Sequence, residues 1–133
     1  MYIEFQNNPV GNVTGDCAIR AVSKALDVSW ETAYLMLAIN GLQMGDVLNS
    51  NTVIGATLRQ HGFRRSAIPN TCPDCFTIKE FADLNPNGVF VLGTGTHVVC
   101  VDAGDVYDAW NSMGEVPIYV WYENVAPKFE QEV

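Results

Sequence analysis

The chain changes its hydrophobic period near Gly88, and this change constrains the fold more than any other feature of the sequence. Before Gly88, apolar residues recur at the three- and four-residue spacing of helices that pack along one side. After it, short β-branched and aromatic runs are broken by Gly, Asp or Pro, which is typical of strands. We therefore expect an α+β domain in which N-terminal helices pack on a C-terminal antiparallel sheet. The length of 133 residues predicts that 1–133 form a single domain.

Four helices are predicted in the first half, each behind a residue that can cap its start. Asp16 can cap the first, which begins at Cys17 and includes Leu26. This helix is expected to pack along one side, with three polar residues off its apolar stripe: Arg20, Ser23 and Lys24. The other predicted helices are 30–39 after Ser29, 52–61 after Asn51, and one that runs from the Thr77 capping box to before Pro86.

Five short runs are predicted as strands, and the turn between two of them sets their register. The runs are 2–5 as a weak edge strand, 88–93, 96–102, 105–110 and 117–125. Ala103-Gly104 predicts a hairpin with a two-residue turn between the third and fourth runs. Aromatic residues concentrate in the last two runs, where they are expected to fill the core. One of them, Trp110, is close enough to the candidate catalytic residues His97 and Asp108 to shield them from water.

The overall charge limits the partners that the chain can have. Acidic residues outnumber basic ones 15 to seven, which gives a formal net charge of −8. Such a surface repels phosphate, so no nucleic acid is expected as a partner, and we interpret Arg64-Arg65 as a solvated loop edge. The chain has no basic leader and no unbroken apolar run of about 18 residues, which predicts a soluble, cytoplasmic protein without a membrane partner. Its four cysteines are expected to be reduced, and the polar tail 128–133 is expected to fray.

Cys17 is the first candidate for chemistry because it falls in the first turn of a predicted helix. A thiol there lies near the positive end of the helix dipole, which favours the thiolate and lowers the pKa of the group. A nucleophile also needs a base, and the chain has two histidines. His61 ends a predicted helix, where an imidazole commonly meets terminal carbonyls, whereas His97 begins an apolar strand after the pliable stretch 93–96. His97 is therefore the candidate base.

A third group is needed to orient the imidazole, and the following strand offers Asp108 and Asn111. A two-residue turn pairs Asp102 with Asp105, and this register places Asp108 diagonally beside His97. A three-residue turn shifts the parity and favours Asn111 instead. We prefer Asp108, because an ionised carboxylate also stabilises an imidazolium that is paired with a thiolate.

This order and setting resemble the papain-like cysteine peptidase superfamily, in which a Cys opens the first long helix and a His opens a later strand. More narrowly, NPVGNVTGDCAIRAVSKAL (8–26) and GTHVVCVDAGDVYDAW (95–110) look like the small papain-like peptidase proteins of bacteria and their phages. Outside these stretches, the helices and strands agree only in type. The resemblance implies a papain-like fold and cleavage of a peptide or isopeptide bond in a peptide or protein substrate, with no cofactor and no metal.

The resemblance also implies a role for each residue of the site. Cys17 would be the nucleophile, His97 would hold its proton and pass it to the leaving amine, and Asp108 would fix the imidazole tautomer. The Cys17 backbone N–H would donate to the oxyanion. Papain-like enzymes add a glutamine donor several residues before the nucleophile, whereas the amides here are Asn12 and Gln6. Asp16 is interpreted as a cap and not as a fourth catalytic group.

The other thiols of the chain leave alternatives open. Cys72 and Cys75 have the CxxC spacing of a redox pair or of half a zinc site, although we interpret them as incidental thiols on a surface turn. Cys100 lies among valines and is expected to be a small buried apolar residue. The alternative functions are a catalytically silent papain-like binding module and a CxxC metal-binding protein. An amidase or acyltransferase activity would use the same three groups.

Overall fold

The computed structural model describes residues 1–69 and 71–129, and in this part of the chain four helices accompany a mixed six-stranded sheet. The helices are α1 (Cys17–Leu26), α2 (Trp30–Met44), α3 (Asn51–Arg59) and α4 (Ile78–Leu84). The strands are β1 (Tyr2–Glu4), β2 (Arg64–Ala67), β3 (Val89–Gly93), β4 (Val98–Asp102), β5 (Asp105–Asp108) and β6 (Tyr119–Tyr122). The predicted α+β class is therefore confirmed. No helix within these described ranges is long and apolar enough to cross a membrane.

The sheet has the order β1-β5-β4-β3-β6-β2, and it is mixed instead of purely antiparallel as predicted. The difference comes from β1, which pairs in parallel with β5, so that Tyr2 lies opposite Val106. Its edge position agrees with the prediction for 2–5. The interpretation of Arg64-Arg65 as a loop edge is wrong, because both residues belong to β2 and pair with β6. The sequence of β2 lacks the alternation of apolar and polar residues that predicts a strand. The segment is extended because it pairs with β6.

The hairpin between β4 and β5 has the predicted two-residue turn. Asp102 lies opposite Asp105, and Ala103 and Gly104 both have positive φ angles, of 52° and 79°. This backbone matches a type I′ turn, whose twist suits two antiparallel strands. The register places Cys100 opposite Tyr107, so the two strands continue in step towards His97 and Asp108.

The two faces of the sheet carry separate apolar clusters. Along β3, Val91 packs with residues of α1, α2 and α3, whereas Phe90 and Leu92 pack on the opposite face with residues of α4. Tyr119 and Trp121 of β6 join the first cluster, as expected for aromatic residues that fill a core. The site described below lies where α1 meets one end of β4 and β5, at the margin of the first cluster.

Helix α1 begins at Cys17 as predicted, but its polar residues do not all face solvent. Asp16 occupies the cap position without a side-chain capping bond, so the capping prediction for that side chain is wrong. Arg20 and Ser23 are buried, although they lie off the predicted apolar stripe. They tolerate burial because each has hydrogen-bond partners: Arg20 binds two carboxylates, and Ser23 donates to the Arg20 carbonyl at 2.8 Å.

Helices α2 and α3 end elsewhere than predicted, and α4 begins where predicted. The predicted stop at 40–41 lies inside α2, because Asn40 is buried and donates to Thr57 Oγ1 of α3 at 2.8 Å. The helix ends at Met44, and Gly45 caps it with a positive φ of 66°. Helix α3 starts at Asn51 behind Ser50 and ends at Arg59. Thr77 caps α4 by accepting from the Glu80 amide at 3.2 Å. The sequence predicts that the tail 128–133 frays, and most of these residues, 130–133, lie outside the described part of the chain.

Candidate active site

Cys17 is the first residue of α1, and its half-buried thiol lies within hydrogen-bonding reach of two groups at the start of β4. These are the His97 imidazole and the backbone of Val98. Burial alone would raise the pKa of the thiol, but the hydrogen bonds from His97 and Val98 outweigh it, so that the pKa lies below its usual value. The side chain is therefore held in a setting that favours thiolate.

His97 is fixed from three sides. Its backbone N–H donates to Thr94 Oγ1 at 3.1 Å, and its carbonyl accepts from the Thr94 amide at 2.9 Å, so a tight loop carries the ring. Its Nε2 lies 2.6 Å from Asp108 Oδ2, which leaves Nδ1 for the thiol of Cys17. The Trp110 ring lies over the imidazole, with centroids 5.0 Å apart, in agreement with its predicted position beside the site.

The charges around His97 favour the imidazolium. Desolvation alone would lower the pKa of the imidazole, but the hydrogen bonds and the negative charges of Asp108 and Cys17 raise it to about 9. Because the thiol pKa is lowered and the imidazole pKa is raised, the geometry favours a thiolate-imidazolium pair.

Asp108 ends β5, and its carboxylate is buried with four donors around it. Oδ2 accepts from His97 and from Ser112 Oγ at 2.5 Å, while Oδ1 accepts from Arg20 Nη2 at 3.0 Å and from the Ala109 amide at 2.8 Å. Burial would raise the pKa of this carboxyl, but the bonds from His97 and Ser112 hold it below its usual value. Asp108 is therefore ionised where it meets the imidazole.

The structure brings Cys17, His97 and Asp108 together, and it leaves Asn111 out. Asn111 is exposed, and its Oδ1 accepts from the Met113 amide at 3.2 Å. The two-residue turn at Ala103-Gly104 explains the difference, because it sets the register that carries the end of β5 to His97.

Two buried residues beside the site were missing from the sequence-based site. Arg20 binds Asp108 and also Asp16, whose other carboxylate oxygen accepts from Trp30 Nε1 at 2.9 Å. Ser112 is fully buried against Asp108. Both lie four residues from an acidic partner, Arg20 from Asp16 and Ser112 from Asp108, and this spacing was the available signal. Nothing in the sequence showed that the Asp16-Arg20 pair would reach a strand far along the chain.

Two cavities meet at Cys17 and His97. The smaller has a volume of about 90 Å³ and is lined on its far side by Asn51, Gly95 and Tyr119. The larger has a volume of about 430 Å³ and extends past Trp110 and Gln6. An acyl group on one side and a leaving group on the other could therefore both reach the sulfur.

An oxyanion formed at Cys17 would find two kinds of donor nearby. The Cys17 backbone N–H lies in the first turn of α1, where amides have no partner within the helix. Of the two amides considered from the sequence, Gln6 lines the larger cavity together with Cys17, and its Oε1 accepts from the Asn8 amide at 3.1 Å. Asn12 is exposed and does not line that cavity. Gln6 is therefore the better-placed side-chain donor.

The other cysteines and His61 lie apart from this site. Cys72 and Cys75 form a disulfide with each other, so the expectation of reduced thiols is wrong for this pair. Their turn brings the two Cα atoms to 4.1 Å, which lets the sulfur atoms meet. Cys100 is fully buried, as expected, and burial raises the pKa of its thiol. His61 Nδ1 lies 3.0 Å from the Thr57 carbonyl at the end of α3, as expected of a helix-terminal histidine.

No cluster of three or more His, Cys, Asp or Glu that could hold a metal ion occurs within 1–69 and 71–129. The disulfide also removes the two thiols on which a CxxC metal site would depend. Comparisons with protein-family models, with curated proteins and with solved structures found no match to this chain.

Proposed function

We propose that the protein is a thiol-dependent hydrolase with a papain-like site, which cleaves a peptide or isopeptide bond in a peptide or protein substrate. One observation carries the proposal: a lowered-pKa thiol at a helix start lies against an imidazole whose other nitrogen is 2.6 Å from a buried carboxylate. This combination of an activated nucleophile, a base and a carboxylate that orients the base is suited to acyl transfer by a cysteine.

In the first half of the reaction, the Cys17 thiolate attacks the acyl carbon and forms a C–S bond. The electron pair of the carbonyl moves to oxygen, which accepts hydrogen bonds from the Cys17 N–H and from the Gln6 amide. When the intermediate collapses, the C–N bond breaks, and the His97 imidazolium gives its proton to the departing amine. The product of this half is a thioester on Cys17.

In the second half, a water molecule replaces the amine. The neutral His97 removes a proton from the water as its oxygen attacks the thioester carbon, and the C–S bond then breaks. The acid leaves, the sulfur departs as thiolate, and His97 keeps the proton, so the starting pair is restored. Asp108 stays ionised throughout and keeps Nδ1 of His97 directed at the sulfur.

The papain-like assignment rests on order and setting. A Cys opens α1, a His precedes β4, and an Asp ends β5, as in that superfamily. The glutamine is the main departure, because Gln6 stands further before the nucleophile than the corresponding donor of papain-like enzymes. The cavity that Gln6 shares with Cys17 supports the same role for it despite the longer separation.

The proposal is tested by labelling with acyl-directed electrophilic probes and by alkylation with iodoacetamide over a range of pH. We expect both reagents to modify Cys17, with an alkylation midpoint well below the free thiol value of about 8.5. Cys17→Ala should abolish labelling, and Asp108→Ala should reduce it strongly, while Asn111→Ala should leave it unchanged. An alkylation midpoint near the free value would end the enzyme proposal.

A labelled thiol is not yet an enzyme, so a second measurement is needed. Peptide and isopeptide substrate libraries, incubated with the full chain and with Cys17→Ala, should give products from the first alone. If Cys17 alkylates at low pH but no library member is cleaved, the site would be that of a silent binding module.

A further inference from the structure

A third cavity adjoins the site, and its charge differs from that of the molecule as a whole. It has a volume of about 300 Å³ and is lined by five residues: Asn51, Thr52, Gly55, Arg59 and Arg65. Neither arginine forms an ion pair with any residue in 1–69 or 71–129. Two guanidinium groups without an ion pair among these residues therefore line one cavity on a chain whose net charge is −8.

Two residues connect this cavity to the thiol. Asn51 lines both this cavity and the smaller one beside Cys17. Tyr119 forms a wall of that smaller cavity and donates to Asn51 Oδ1 at 2.7 Å. The guanidinium of Arg65 stacks on the Tyr119 ring, 4.7 Å from its centroid. A substrate that extends from Cys17 through the smaller cavity would therefore reach the two arginines next.

A buried indole lies directly behind the wall of this cavity. Trp121 is fully buried, and its Nε1 has no hydrogen-bond partner among the described residues. A Cβ built on Gly55 would lie 3.4 Å from this nitrogen and 3.2 Å from Arg59 Nη1, so the indole N–H is packed behind two residues that line the cavity. Trp121 itself does not line the cavity, but its N–H is close enough to the wall to report on what binds there.

We infer that the Gly55, Arg59 and Arg65 cavity binds a carboxylate on the acyl side of the substrate. Planar guanidinium groups match the two oxygens of a carboxylate, and two of them line the same cavity of about 300 Å³. The carboxylate belongs either to an acidic side chain or to a free chain terminus. The position beside the cleft rests on the proposed function, whereas the binding itself does not.

Binding is tested without catalysis on the full-length Cys17→Ala protein by recording the three tryptophan indole N–H resonances, with Trp121 assigned by Trp121→Phe. We expect acetyl-glutamate amide to shift the Trp121 signal, and the neutral isostere acetyl-glutamine amide to leave it in place. Acetyl-glutamine with a free terminus tests the second source of carboxylate. Equal shifts with the charged and neutral compounds, or no Trp121 shift with either acid, would overturn the inference.

Three variants test which residues bind the carboxylate. Arg59→Gln and Arg65→Gln should each weaken binding about tenfold, the size expected for losing a charge-assisted hydrogen bond. Arg64→Gln is the matched control, because Arg64 is an exposed neighbour on β2 that does not line the cavity, and it should change nothing. Gly55→Ala should also weaken binding without lowering the melting temperature, since Ala favours a helix interior. Equal weakening by Arg64→Gln would contradict the assignment.

The substrate itself is tested with the wild-type chain and acyl probes that carry Glu or Gln at successive positions. At one position Glu should accelerate labelling of Cys17 about tenfold over Gln, and Arg65→Gln should remove the preference. Labelling without any such preference would overturn the inference and leave the proposed function intact. If Cys17 proves inert, the proposed function fails, and the resonance shifts still decide whether the carboxylate binds.

Discussion

Arg20 Nη2 donates to Asp108 Oδ1 at 3.0 Å, so the helix that begins with Cys17 also holds the carboxylate that orients His97. Arg20 binds Asp16 as well, and all three side chains are buried. The single positive charge of the guanidinium is thus shared by two buried carboxylates, of which Asp108 also faces His97. Arg20 also ties the start of α1, which carries the sulfur of Cys17, to the end of β5. The carboxylate at the end of β5 in turn holds the imidazole of His97 beside that sulfur.

Substitution of Arg20 should therefore lower the free energy of unfolding more than substitution of a partly exposed lysine or arginine. Arg20→Met leaves Asp16 and Asp108 buried without their partner, and loss of one partner from a buried pair costs about 3–5 kcal/mol. Lys24→Met on the same helix breaks only the partly exposed pair with Asp102, so it should cost less than about 1 kcal/mol. Urea unfolding measures both. Similar losses in the two variants would contradict a structural role for the buried pair.

Ser112 should matter to the site through Asp108 alone. Ser112→Ala removes a donor from a buried carboxylate, which raises the pKa of Asp108 and costs about 1–3 kcal/mol of folding free energy. Acyl-probe labelling of Cys17 should slow, because the Asp108 carboxylate then orients the His97 imidazole less firmly. Ser66→Ala removes a partly exposed hydroxyl on β2, far from the buried carboxylate network, and should change neither quantity. An unchanged labelling rate in Ser112→Ala would show that Asp108 is held without it.

The local part of this architecture was predictable, because neighbouring residues determine it. The start of α1 at Cys17 follows from turn formers before an apolar periodic run, and the Asp102-Asp105 pair follows from a two-residue turn. That turn alone carries Asp108 to His97, so local sequence contained most of the candidate site.

The rest depended on contacts between distant parts of the chain. Strand β2 exists because β6 pairs with it, and α2 continues through Asn40 because α3 supplies a hydrogen-bond partner. Arg20 lies off the apolar stripe of α1, and nothing local predicts its burial because its second partner, Asp108, lies 88 positions away. Such residues depart from the local hydrophobic pattern because tertiary contacts stabilise them. Hydrophobic periodicity along the chain carries no information about those contacts.

The pH dependence of stability should reveal the thiolate-imidazolium pair. His97 has a raised pKa of about 9 in the folded chain, so its stabilising contribution is complete below the unfolded value of about 6.5 and is lost as pH rises through 9. Cys17 has a lowered pKa, so its contribution grows as pH rises through its folded pKa towards its unfolded value. Between these limits the two slopes oppose each other, and wild-type stability should vary little with pH.

The Cys17→Ala variant removes one of these opposing slopes. Its stability should fall as pH rises above about 6.5, by at most about 1.4 kcal/mol per pH unit, because Asp108 still keeps the proton on folded His97 while the unfolded chain releases it. The fall should end below pH 9, since Cys17 no longer helps to raise the pKa of His97. Urea unfolding at half-unit intervals measures the slope. In Cys17→Ala/Asp108→Asn the imidazole loses its counter-ion, and the slope should disappear. Parallel curves for wild type and Cys17→Ala would show that no thiolate forms in the folded state.

Gly93 should be irreplaceable for the wall of the smaller cavity. A Cβ at this position would overlap the ring of Tyr119, which lies opposite Gly93 on β6. Gly93→Ala therefore overpacks the core and should cost about 1–3 kcal/mol, with Tyr119 displaced from Asn51. Gly114→Ala meets no atom within 4 Å and should be neutral. Equal stability of both variants by thermal unfolding would contradict the close packing at Gly93.

Gln6 and Asn12 can be separated by choosing a reaction that forms no oxyanion. Acyl transfer places negative charge on the carbonyl oxygen, and loss of one side-chain donor at that oxygen typically lowers kcat about 10²- to 10³-fold. Alkylation by iodoacetamide displaces iodide at a saturated carbon and places no charge there. Gln6→Ala should therefore slow hydrolysis, or acylation by an activated ester, about a hundredfold and leave the alkylation rate unchanged. Asn12→Ala should change neither rate, because Asn12 does not line the cavity beside Cys17. Slower alkylation in Gln6→Ala would mean that Gln6 supports the thiolate itself, and a selective loss of acyl transfer in Asn12→Ala would assign the donor to the other amide.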